Sequence, residues 1–453
     1  MPMDRDRFAA HIHASRDRYY AELGVLLRQP SIAAQGVGLE ETAAIVVQRL
    51  ACLGAKVRVL RLPGAAPVVY GSIGSGARTL LIYDHYDVQP PEPLERWISP
   101  AFEPTARDGK LYARGVADNK GNLMLRLQAI ESWLATAGAL PIKINFLIEG
   151  EEEIGSIHLE QFCHQYADLL RADGCLWETG GRNALEQPTI HCGAKGICYV
   201  ELVARGAAYD LHSANATSVP NPAWRLTWAL ATLKSPDERI LVPGFYDRVR
   251  PPSAAELRAV ELLPDDDAAL LADFAIPEFL GGLRGVERRK ANLFNPTCTI
   301  CGLVAGYTGE GSKTVLPSEA RAKIDFRMVP DQDPAEIVSS LRAHLDANGF
   351  GDIEILEFGH ERAARTDPDA PVVRAMADAI RTTFQQEPVI YPTMAGTGPL
   401  YPVAAALGTP VTSGCGTGYQ GSLVHAPNEN IRMADYWDAM RCMGAFIQAF
   451  AEA

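Results

Sequence analysis

Apolar side chains recur along the first part of the chain with either a helical or an extended period. Helical spacing predicts four helices, at residues 5–28, 38–53, 121–138 and 157–170. Short apolar runs predict five strands, at residues 57–62, 68–73, 79–84, 142–150 and 174–178. Strands and helices that alternate in this way predict an α/β fold, in which helices cover both faces of a sheet.

After residue 193 the order of elements changes to β-α-β-β-α-β. The predicted elements are a strand at 193–206, a helix at 221–233, strands at 296–304 and 319–329, a helix at 333–348 and a strand at 352–358. This order is typical of a small open-faced α+β sandwich of the ferredoxin-like type. The polar segment 235–290 interrupts it, and the run DDDAALLADF within that segment predicts a solvated helix. The alternating pattern then returns, with a helix at 370–385, a strand at 387–391 and a helix at 433–451.

The length of 453 residues also favours two domains. We predict that residues 1–193 and 362–453 form the larger domain and that residues 194–361 are inserted into it as the small sandwich. Open α/β sheets place their functional sites beyond the carboxyl ends of the strands. The charged and Gly-rich segments of this chain follow predicted strands of the larger domain, so the site is expected there.

Composition narrows the function. Hydrophobic residues make up 47% of the chain and charged residues 21%, as in an ordinary globular protein. The formal net charge of −13, from 55 acidic and 42 basic residues, argues against a nucleic-acid surface. The N-terminal segment lacks the apolar core of a secretory signal, and no run approaches the ~20 apolar residues of a membrane span. We therefore expect a cytoplasmic protein with no nucleic-acid or membrane partner.

The nine cysteines do not suggest a disulfide framework, because their number is odd and they are spread along the chain. The only Cys-x-x-Cys pair is Cys298 and Cys301, in a predicted strand. Residues three apart in a strand point to opposite faces, so buried apolar thiols are favoured over a structural zinc site.

Six short segments supply side chains suited to a metal centre. These are His85 and Asp87 in HYD, Asp118 in GVADNKG, Glu152 and Glu153 in EGEEEIGS, Glu178 in LWETGG, His212 in DLHSA, and His425 in HAPNE. Imidazoles and carboxylates in this number match what a pair of zinc ions needs, and manganese or cobalt would fit the same ligands. Each residue alone has an ordinary alternative. Asp118 could cap the helix that follows it, and the adjacent glutamates could form a solvated acidic turn.

Two neighbouring pairs suggest a division of roles. Asp87 lies two residues beyond His85 in an extended segment, so it can accept a hydrogen bond from the second ring nitrogen of His85. Glu152 and Glu153 are adjacent and their side chains diverge. Glu153 can therefore bind a metal while Glu152 transfers protons.

The motifs as a set resemble the co-catalytic zinc peptidase family. The strings that carry the resemblance are HYDVQP, DGKLYARGVADNKGN, EGEEEIGS, DLHS, GEGSKTVLP, FRMVPDQDP and HAPNE, which together cover nearly the whole chain. That family includes carnosinase-like dipeptidases, glutamate carboxypeptidases, aminoacylases and succinyl-diaminopimelate desuccinylases. The 235–290 insertion and the strings KTVLP and RMVP resemble the carnosinase-like and cysteinylglycine dipeptidase branch.

The resemblance implies a phosphorylase/hydrolase-like mixed sheet and two divalent metal ions, expected to be zinc. One ion would be held by His85 and Glu178, the other by Glu153 and His425, and Asp118 would bridge both. Glu152 would be the general base, and the peptide bond after Asp118 is often cis in such relatives.

The resemblance also implies a homodimer in which the inserted domain acts as a lid. His212 resembles the histidine that the lid offers to the neighbouring subunit's site, although Ala214 replaces a common Gly. Thr314 and Arg327 resemble residues that hold the substrate's carboxylate. Thr397 matches a Ser or Thr in a Gly-rich loop, but the preceding MAG departs from the acidic residue and glycines usual there.

We therefore expect a metal-dependent hydrolase that cleaves dipeptides or short peptides with a free C-terminal carboxylate. An N-acyl or N-carbamoyl amino acid amidohydrolase on the same scaffold is the alternative. A non-catalytic relative is disfavoured, because such a protein would be expected to have lost ligands or the base.

Overall fold

The computed structural model describes residues 3–453. Within that range the chain forms thirteen α-helices: α1 Arg5–Ala14, α2 Arg16–Arg28, α3 Leu39–Cys52, α4 Lys120–Ala137, α5 Leu159–Gln165, α6 Ala167–Leu170, α7 Pro222–Leu233, α8 Ala254–Glu261, α9 Asp267–Phe274, α10 Gly285–Phe294, α11 Pro334–Ala347, α12 Pro371–Phe384 and α13 Met433–Glu452.

The same residues form twenty strands: β1 Lys56–Leu60, β2 Val68–Ile73, β3 Thr79–His85, β4 Thr105–Arg107, β5 Lys110–Tyr112, β6 Lys143–Glu149, β7 Gly174–Leu176, β8 Gly181–Arg182, β9 Pro188–His191, β10 Gly193–Ala194, β11 Gly196–Arg205, β12 Leu211–His212, β13 Thr297–Ala305, β14 Val315–Leu316, β15 Glu319–Met328, β16 Glu354–Glu361, β17 Ala364–Arg365, β18 Val389–Tyr391, β19 Val411–Thr412 and β20 Asn430–Arg432.

The main sheet has six strands in the order β1-β2-β6-β3-β7-β19. Four of these strands, β6, β3, β7 and β19, are parallel to one another. At one edge of the sheet, β2 pairs antiparallel with β6 and β1 pairs antiparallel with β2. Alternate residues of β3 point to opposite sides: Leu80 and Ile82 join one apolar core, and Leu81 and Tyr83 join another. The first core contains α1 to α4, α12 and α13, and the second contains α5 and α6. The predicted mixed α/β sheet with helices on both faces is confirmed.

Helix α4 lies at the centre of the first core. Thirteen of its 18 residues are buried, so it is enclosed on nearly all sides instead of showing one apolar stripe. The buried set includes the charged Lys120 and Arg126. Because a buried charge needs partners, each of these side chains must be held by specific contacts.

Residues 194–361 contain a four-stranded antiparallel sheet in the order β13-β15-β11-β16. Helices α7 and α11 pack on one face of it, against Cys198, Val200, Ile324 and Phe326 among others. The opposite face carries no helix of the described chain and bears many charged side chains. The β-α-β-β-α-β order agrees with the sandwich expected from the sequence.

Some boundaries differ from the expected ones. The segment 5–28 forms two helices that meet at Ser15, a residue whose hydroxyl competes for backbone hydrogen bonds and so favours helix ends. The segment 157–170 is likewise divided, into α5 and α6. The region 235–290 contains α8, α9 and most of α10, and α9 has no buried residue, as expected for a solvated helix.

The two cysteines of the Cys-x-x-Cys pair lie in different surroundings. Cys298 is buried, whereas Cys301 is exposed on the same strand, β13. The two thiols therefore do not share one environment.

Candidate metal centre

The predicted site residues gather at the carboxyl edge of the main sheet. His85 is the last residue of β3, and Glu178 lies two residues beyond the end of the neighbouring parallel strand β7. Glu152 and Glu153 lie in a short turn that follows β6 on the other side of β3. Parallel strands bring their carboxyl ends to one edge, which is where such sheets place their sites.

Asp118 lies between the two histidines. Its Oδ1 is 3.1 Å from Nε2 of His85, and its Oδ2 is 3.1 Å from Nε2 of His425. Glu178 approaches the first imidazole, with Oε2 3.4 Å from His85 Nε2. Glu153 approaches the second, with Oε2 3.1 Å from His425 Nε2. The five side chains thus form two nitrogen-and-oxygen donor groups that share the Asp118 carboxylate.

The centre concentrates negative charge away from water. Burial, and after it the charge of Glu152, raises the pKa of Glu178 well above its ordinary value. Burial is also the main cause that raises the pKa of Glu152 to about 8. The Glu178 Oε2 atom is buried without a hydrogen-bond partner among residues 3–453. Buried carboxylates that lack partners are costly unless a cation relieves them, so this donor set fits divalent metal ions.

The imidazole of His425 lies beside two carboxylates of the centre. Its contacts with Asp118 and Glu153 raise its pKa to about 10. Its backbone has a positive φ of 62°, in the left-handed region that is uncommon for residues other than Gly. Strained backbone of this kind concentrates at functional sites.

Asp87 supports both halves of the centre. His85 Nδ1 lies 3.2 Å from the Asp87 carbonyl oxygen and 3.3 Å from its carboxylate, so the ring nitrogen is held by the backbone as well as by the expected side chain. The Asp87 carboxylate also accepts the backbone N–H groups of Glu152 at 3.2 Å and Glu153 at 3.0 Å. One buried residue therefore orients an imidazole and the turn that bears two carboxylates.

Glu152 faces the same space without joining either donor group. Its Oε2 is 3.9 Å from His85 Nε2, the longest of the contacts around that ring. Its neighbour Glu153 instead contacts His425 and accepts from Gln89, with Nε2 to Oε2 at 2.9 Å. The two adjacent glutamates thus diverge as expected.

Sequence reasoning missed Glu429, although it lies in the HAPNE string. Its buried carboxylate accepts the backbone N–H groups of Gly115, Ala117 and Asp118 at 2.9, 2.8 and 3.1 Å. It also pairs with the buried Arg114 at 2.7 Å. Four donors on one carboxylate fix the loop that carries Asp118.

Sequence reasoning also missed Arg126, and a charge inside the apolar run LMLRLQAI was the available signal. Its guanidinium donates to the carbonyl oxygen of Glu178 at 2.7 Å and to Asp84 at 2.7 Å. Asp84 in turn accepts from the side chain of Asn119 at 2.8 Å. This buried chain of contacts connects the backbone at Glu178 with the residue that follows Asp118. The Asp118–Asn119 peptide bond is cis, as the resemblance implied.

The residues expected to contact substrate fall into two separate groups. Arg327 donates to the Thr397 hydroxyl at 2.7 Å and to the Asp325 carboxylate at 2.9 Å. Thr314 lies instead beside His212, because its carbonyl oxygen accepts from the N–H of Ser213 at 3.2 Å. Among residues 3–453, neither group hydrogen-bonds to the donor atoms around Asp118.

None of the described helices combines the length and apolar character needed to cross a membrane.

Comparisons with known proteins identify relatives of this chain. Residues 81–449 match Peptidase family M20/M25/M40. The Cys-Gly metallodipeptidase of Schizosaccharomyces pombe is 28% identical over 376 residues, covering 76% of each chain. The Beta-Ala-His dipeptidase of Rattus norvegicus is 28% identical over 293 residues. That match covers 62% of this chain and spans 58% of the rat protein.

A solved structure is similar over nearly the whole chain. The M20 family metallo-carboxypeptidase Sso-CP2 of Sulfolobus solfataricus has a TM-score of 0.90 and is 38% identical. The similarity covers 96% of this chain and 99% of that one.

Proposed function

The chain belongs to Peptidase family M20/M25/M40, and from that premise we propose that it hydrolyses the peptide bond of dipeptides or short peptides with a free C-terminal carboxylate. The observation that carries the proposal is the Asp118 carboxylate, which presents one oxygen to His85 and the other to His425, each at 3.1 Å. A carboxylate shared in this way suits a bridging ligand.

We assign two divalent metal ions to the centre. His85 and Glu178 would hold one ion, and Glu153 and His425 would hold the other. Asp118 would contact both ions. Zinc fits these nitrogen and oxygen donors, and manganese or cobalt would also fit. Bound there, the ions would supply an acidified water and a polarised substrate carbonyl near neutral pH.

Glu152 is the general base of this proposal. Its carboxylate lies within reach of the centre but outside both donor groups, so it is free to accept a proton from the attacking water. The same carboxyl group then delivers that proton to the departing amine. Burial raises the pKa of Glu152, and a more basic carboxylate is a stronger proton acceptor. Asp87 acts indirectly, by orienting His85 and the backbone of Glu152.

Arg327 and Thr397 are proposed to bind the substrate's C-terminal carboxylate. The Nε and Nη1 atoms of Arg327 already donate to Asp325 and Thr397, which fixes the plane of the guanidinium. Its outer edge remains available, because the side chain is 32% exposed. Arg is suited to this task, since its planar fork can donate two parallel hydrogen bonds to one carboxylate.

His212 is proposed to act in the active site of a partner subunit. Its Nδ1 accepts the backbone N–H of Ala214 at 3.1 Å, which places the proton of the neutral ring on the outward Nε2. That N–H could donate to the oxyanion that develops on the scissile carbonyl. Because Thr314 lies beside His212, we expect both to enter the partner's site together.

The homodimer is proposed to form through the inserted domain. Trp224 and Trp228 are exposed and stack on the outer side of α7, with ring centroids 5.9 Å apart. Strand β13 is an edge of the small sheet, and three of its apolar side chains are exposed: Ile300, Leu303 and Val304. Exposed aromatic residues and an unpaired strand edge each favour an interface between copies.

We retain the division into residues 1–193 with 362–453 as the catalytic domain and 194–361 as the lid and dimerisation domain. The separate apolar core of the small sheet supports this division. A cytoplasmic location remains our expectation, and free thiols at all nine cysteines are compatible with it.

The alternative is an N-acyl or N-carbamoyl amino acid amidohydrolase, since the same centre would suit either amide. A panel of dipeptides, each with a free and with an N-acetylated amino end, separates the two functions. The metal-loaded protein should cleave the free dipeptides, lose activity with a chelator and recover it with zinc, manganese or cobalt. Cleavage of only the blocked compounds would favour the alternative, and cleavage of neither would overturn the proposal.

A further inference from the structure

Glu361 is a half-buried carboxylate that has no role in the mechanism above. It is the last residue of β16, and its Oε2 atom is shielded from water without a hydrogen-bond partner among residues 3–453. Its side chain lines a cavity of about 640 Å³, whose walls come from both the main and the small sheet regions. An unpartnered carboxylate in a cavity wall is costly unless a ligand satisfies it.

The nearby cations are engaged elsewhere. Arg362 pairs with Asp333 and donates to the hydroxyl of Tyr401 at 2.9 Å. His360 contacts Glu357 at 2.6 Å. Burial raises the pKa of Glu361 to about 7, and the charge of Arg327 only partly opposes that rise. The carboxylate therefore lacks a protein counter-ion in direct contact.

The position of Glu361 relative to Arg327 indicates what could satisfy it. In the small sheet, strand β11 lies between β15 and β16. Ile197 of β11 pairs with Arg327 of β15 and also with Glu361 of β16. Side chains that are directly opposite share a face, so Arg327 and Glu361 point to the same open face. They lie two strand spacings apart, about 10 Å between backbones. An anion-binding group and an unpaired carboxylate thus face the same space, and the gap between their backbones exceeds the distance of about 7 Å that two extended residues span, so a short zwitterion can fit between them.

Both groups also contact segments that carry residues of the centre. Glu361 Oε1 packs against Gly155, and a Cβ atom added to that glycine would lie 3.6 Å from the oxygen. Gly155 ends the turn that carries Glu152 and Glu153. Thr397, the partner of Arg327, is followed by Gly398, which packs on the ring of Trp177 beside Glu178. A substrate held by both groups would therefore lie close to the segments that carry Glu152 and Glu178.

We propose that Glu361 binds the positively charged amino group of the substrate and so selects peptides with a free amino end over N-acylated ones. The inference rests on the proposed function, which it deepens by naming the ammonium subsite. It also predicts which of the two amide-hydrolysing alternatives the chain performs.

The test compares Glu361→Gln with the wild-type protein, both metal-loaded. For the best-bound dipeptide of the panel, the substitution should lower kcat/KM and binding affinity about 10- to 100-fold, as expected for the loss of a charged hydrogen bond. For the N-acetylated form of the same dipeptide it should change neither by more than about threefold. Glu357→Gln is the matched control, because that carboxylate lies on the same strand but is 51% exposed and pairs with His360.

Binding is measured by calorimetry as well as by turnover, so that the two proposals can fail separately. If the wild-type protein binds dipeptides without cleaving them, the proposed function falls and the binding data still decide the role of Glu361. Equal losses for the free and acetylated forms, or no loss for either, would overturn the ammonium subsite. If no free dipeptide binds, both proposals fall.

Discussion

The Glu429 carboxylate accepts the backbone N–H of Asp118 at 3.1 Å, while His425, four residues before Glu429, holds the Asp118 side chain at 3.1 Å. The segment from His425 to Glu429 thus fixes both the backbone and the side chain of Asp118. Because Arg114 is buried against the same Glu429, the contact is part of a closed charged network. This network makes Glu429 a positioning residue, not a metal ligand.

Glu429→Gln should weaken metal binding about 10- to 100-fold, as is typical when a group that supports a ligand is altered. It should also destabilise the metal-free protein by about 3–5 kcal/mol, because Arg114 keeps a buried charge without its partner. Zinc competition with a chelator and denaturant unfolding measure the two effects. Glu186→Gln, which alters an exposed pair with Arg432, is the control and should change neither. Unchanged zinc affinity in Glu429→Gln would contradict the positioning role.

Glu152→Gln should keep the metal content of the wild-type protein and lower kcat about 10²- to 10⁴-fold, since the variant cannot transfer a proton. Elemental analysis and dipeptide turnover are measured on the same preparation. The control is Glu387→Gln, at a 75% exposed position that pairs with Arg381, which should retain full activity. Near-normal turnover by the metal-loaded Glu152→Gln variant would remove Glu152 from the mechanism.

His212→Ala should lower kcat about 10²- to 10³-fold without loss of metal, as expected for one oxyanion donor. If His212 acts in the partner's site, mixing this variant with Glu152→Gln should restore activity. Random exchange of subunits makes about half of the dimers hybrids. In each hybrid one site has both Glu152 and His212 and the other site has neither, so about a quarter of wild-type activity should return. Exchange is followed with subunits that carry different tags. Full exchange without recovered activity would show that His212 does not act across subunits.

His191 provides a prediction about pH. Its ring stacks on Tyr391 at 4.9 Å, and burial lowers its pKa from 6.5 to about 4. Between these two pH values the unfolded chain binds a proton that the folded chain does not. The contribution of His191 to the free energy of unfolding is therefore highest above pH 6.5 and falls as the pH drops toward 4, by at most about 3 kcal/mol.

In His191→Phe this loss should be absent, because Phe can keep the stack and does not titrate. Denaturant unfolding of the chelator-treated proteins at pH 7 and pH 4.5 makes the comparison without interference from metal release. An equal loss of stability in both proteins would rule out His191 as the source.

The candidate residues of the centre were easier to find from the sequence than the residues that support them. His85, Glu153 and Glu178 follow apolar strands that can be recognised from local periodicity, and parallel strands bring such positions together. Glu429 and Arg126 were missed because their partners are backbone groups distant in the chain, such as the carbonyl oxygen of Glu178. No local pattern encodes a contact of that kind.

The substrate residues show the same limit. The sequence assigned Thr314 and Arg327 to the same substrate carboxylate, and within one chain the fold puts Thr314 beside His212, so that only a partner subunit could bring the two together. Glu361 gave no signal, because its significance comes from cross-strand register with Arg327 through Ile197. Register between strands far apart in sequence is set by tertiary packing, not by the composition of either strand.

Anomalous diffraction at the zinc edge from crystals of the zinc-loaded protein tests the central claim most directly. The account predicts two peaks, about 3.5–4 Å apart as in other two-metal sites, one beside His85 and Glu178 and one beside Glu153 and His425. The Asp118 carboxylate should lie between them. A single peak, or peaks away from Asp118, would contradict the assignment of these five residues to a two-metal centre.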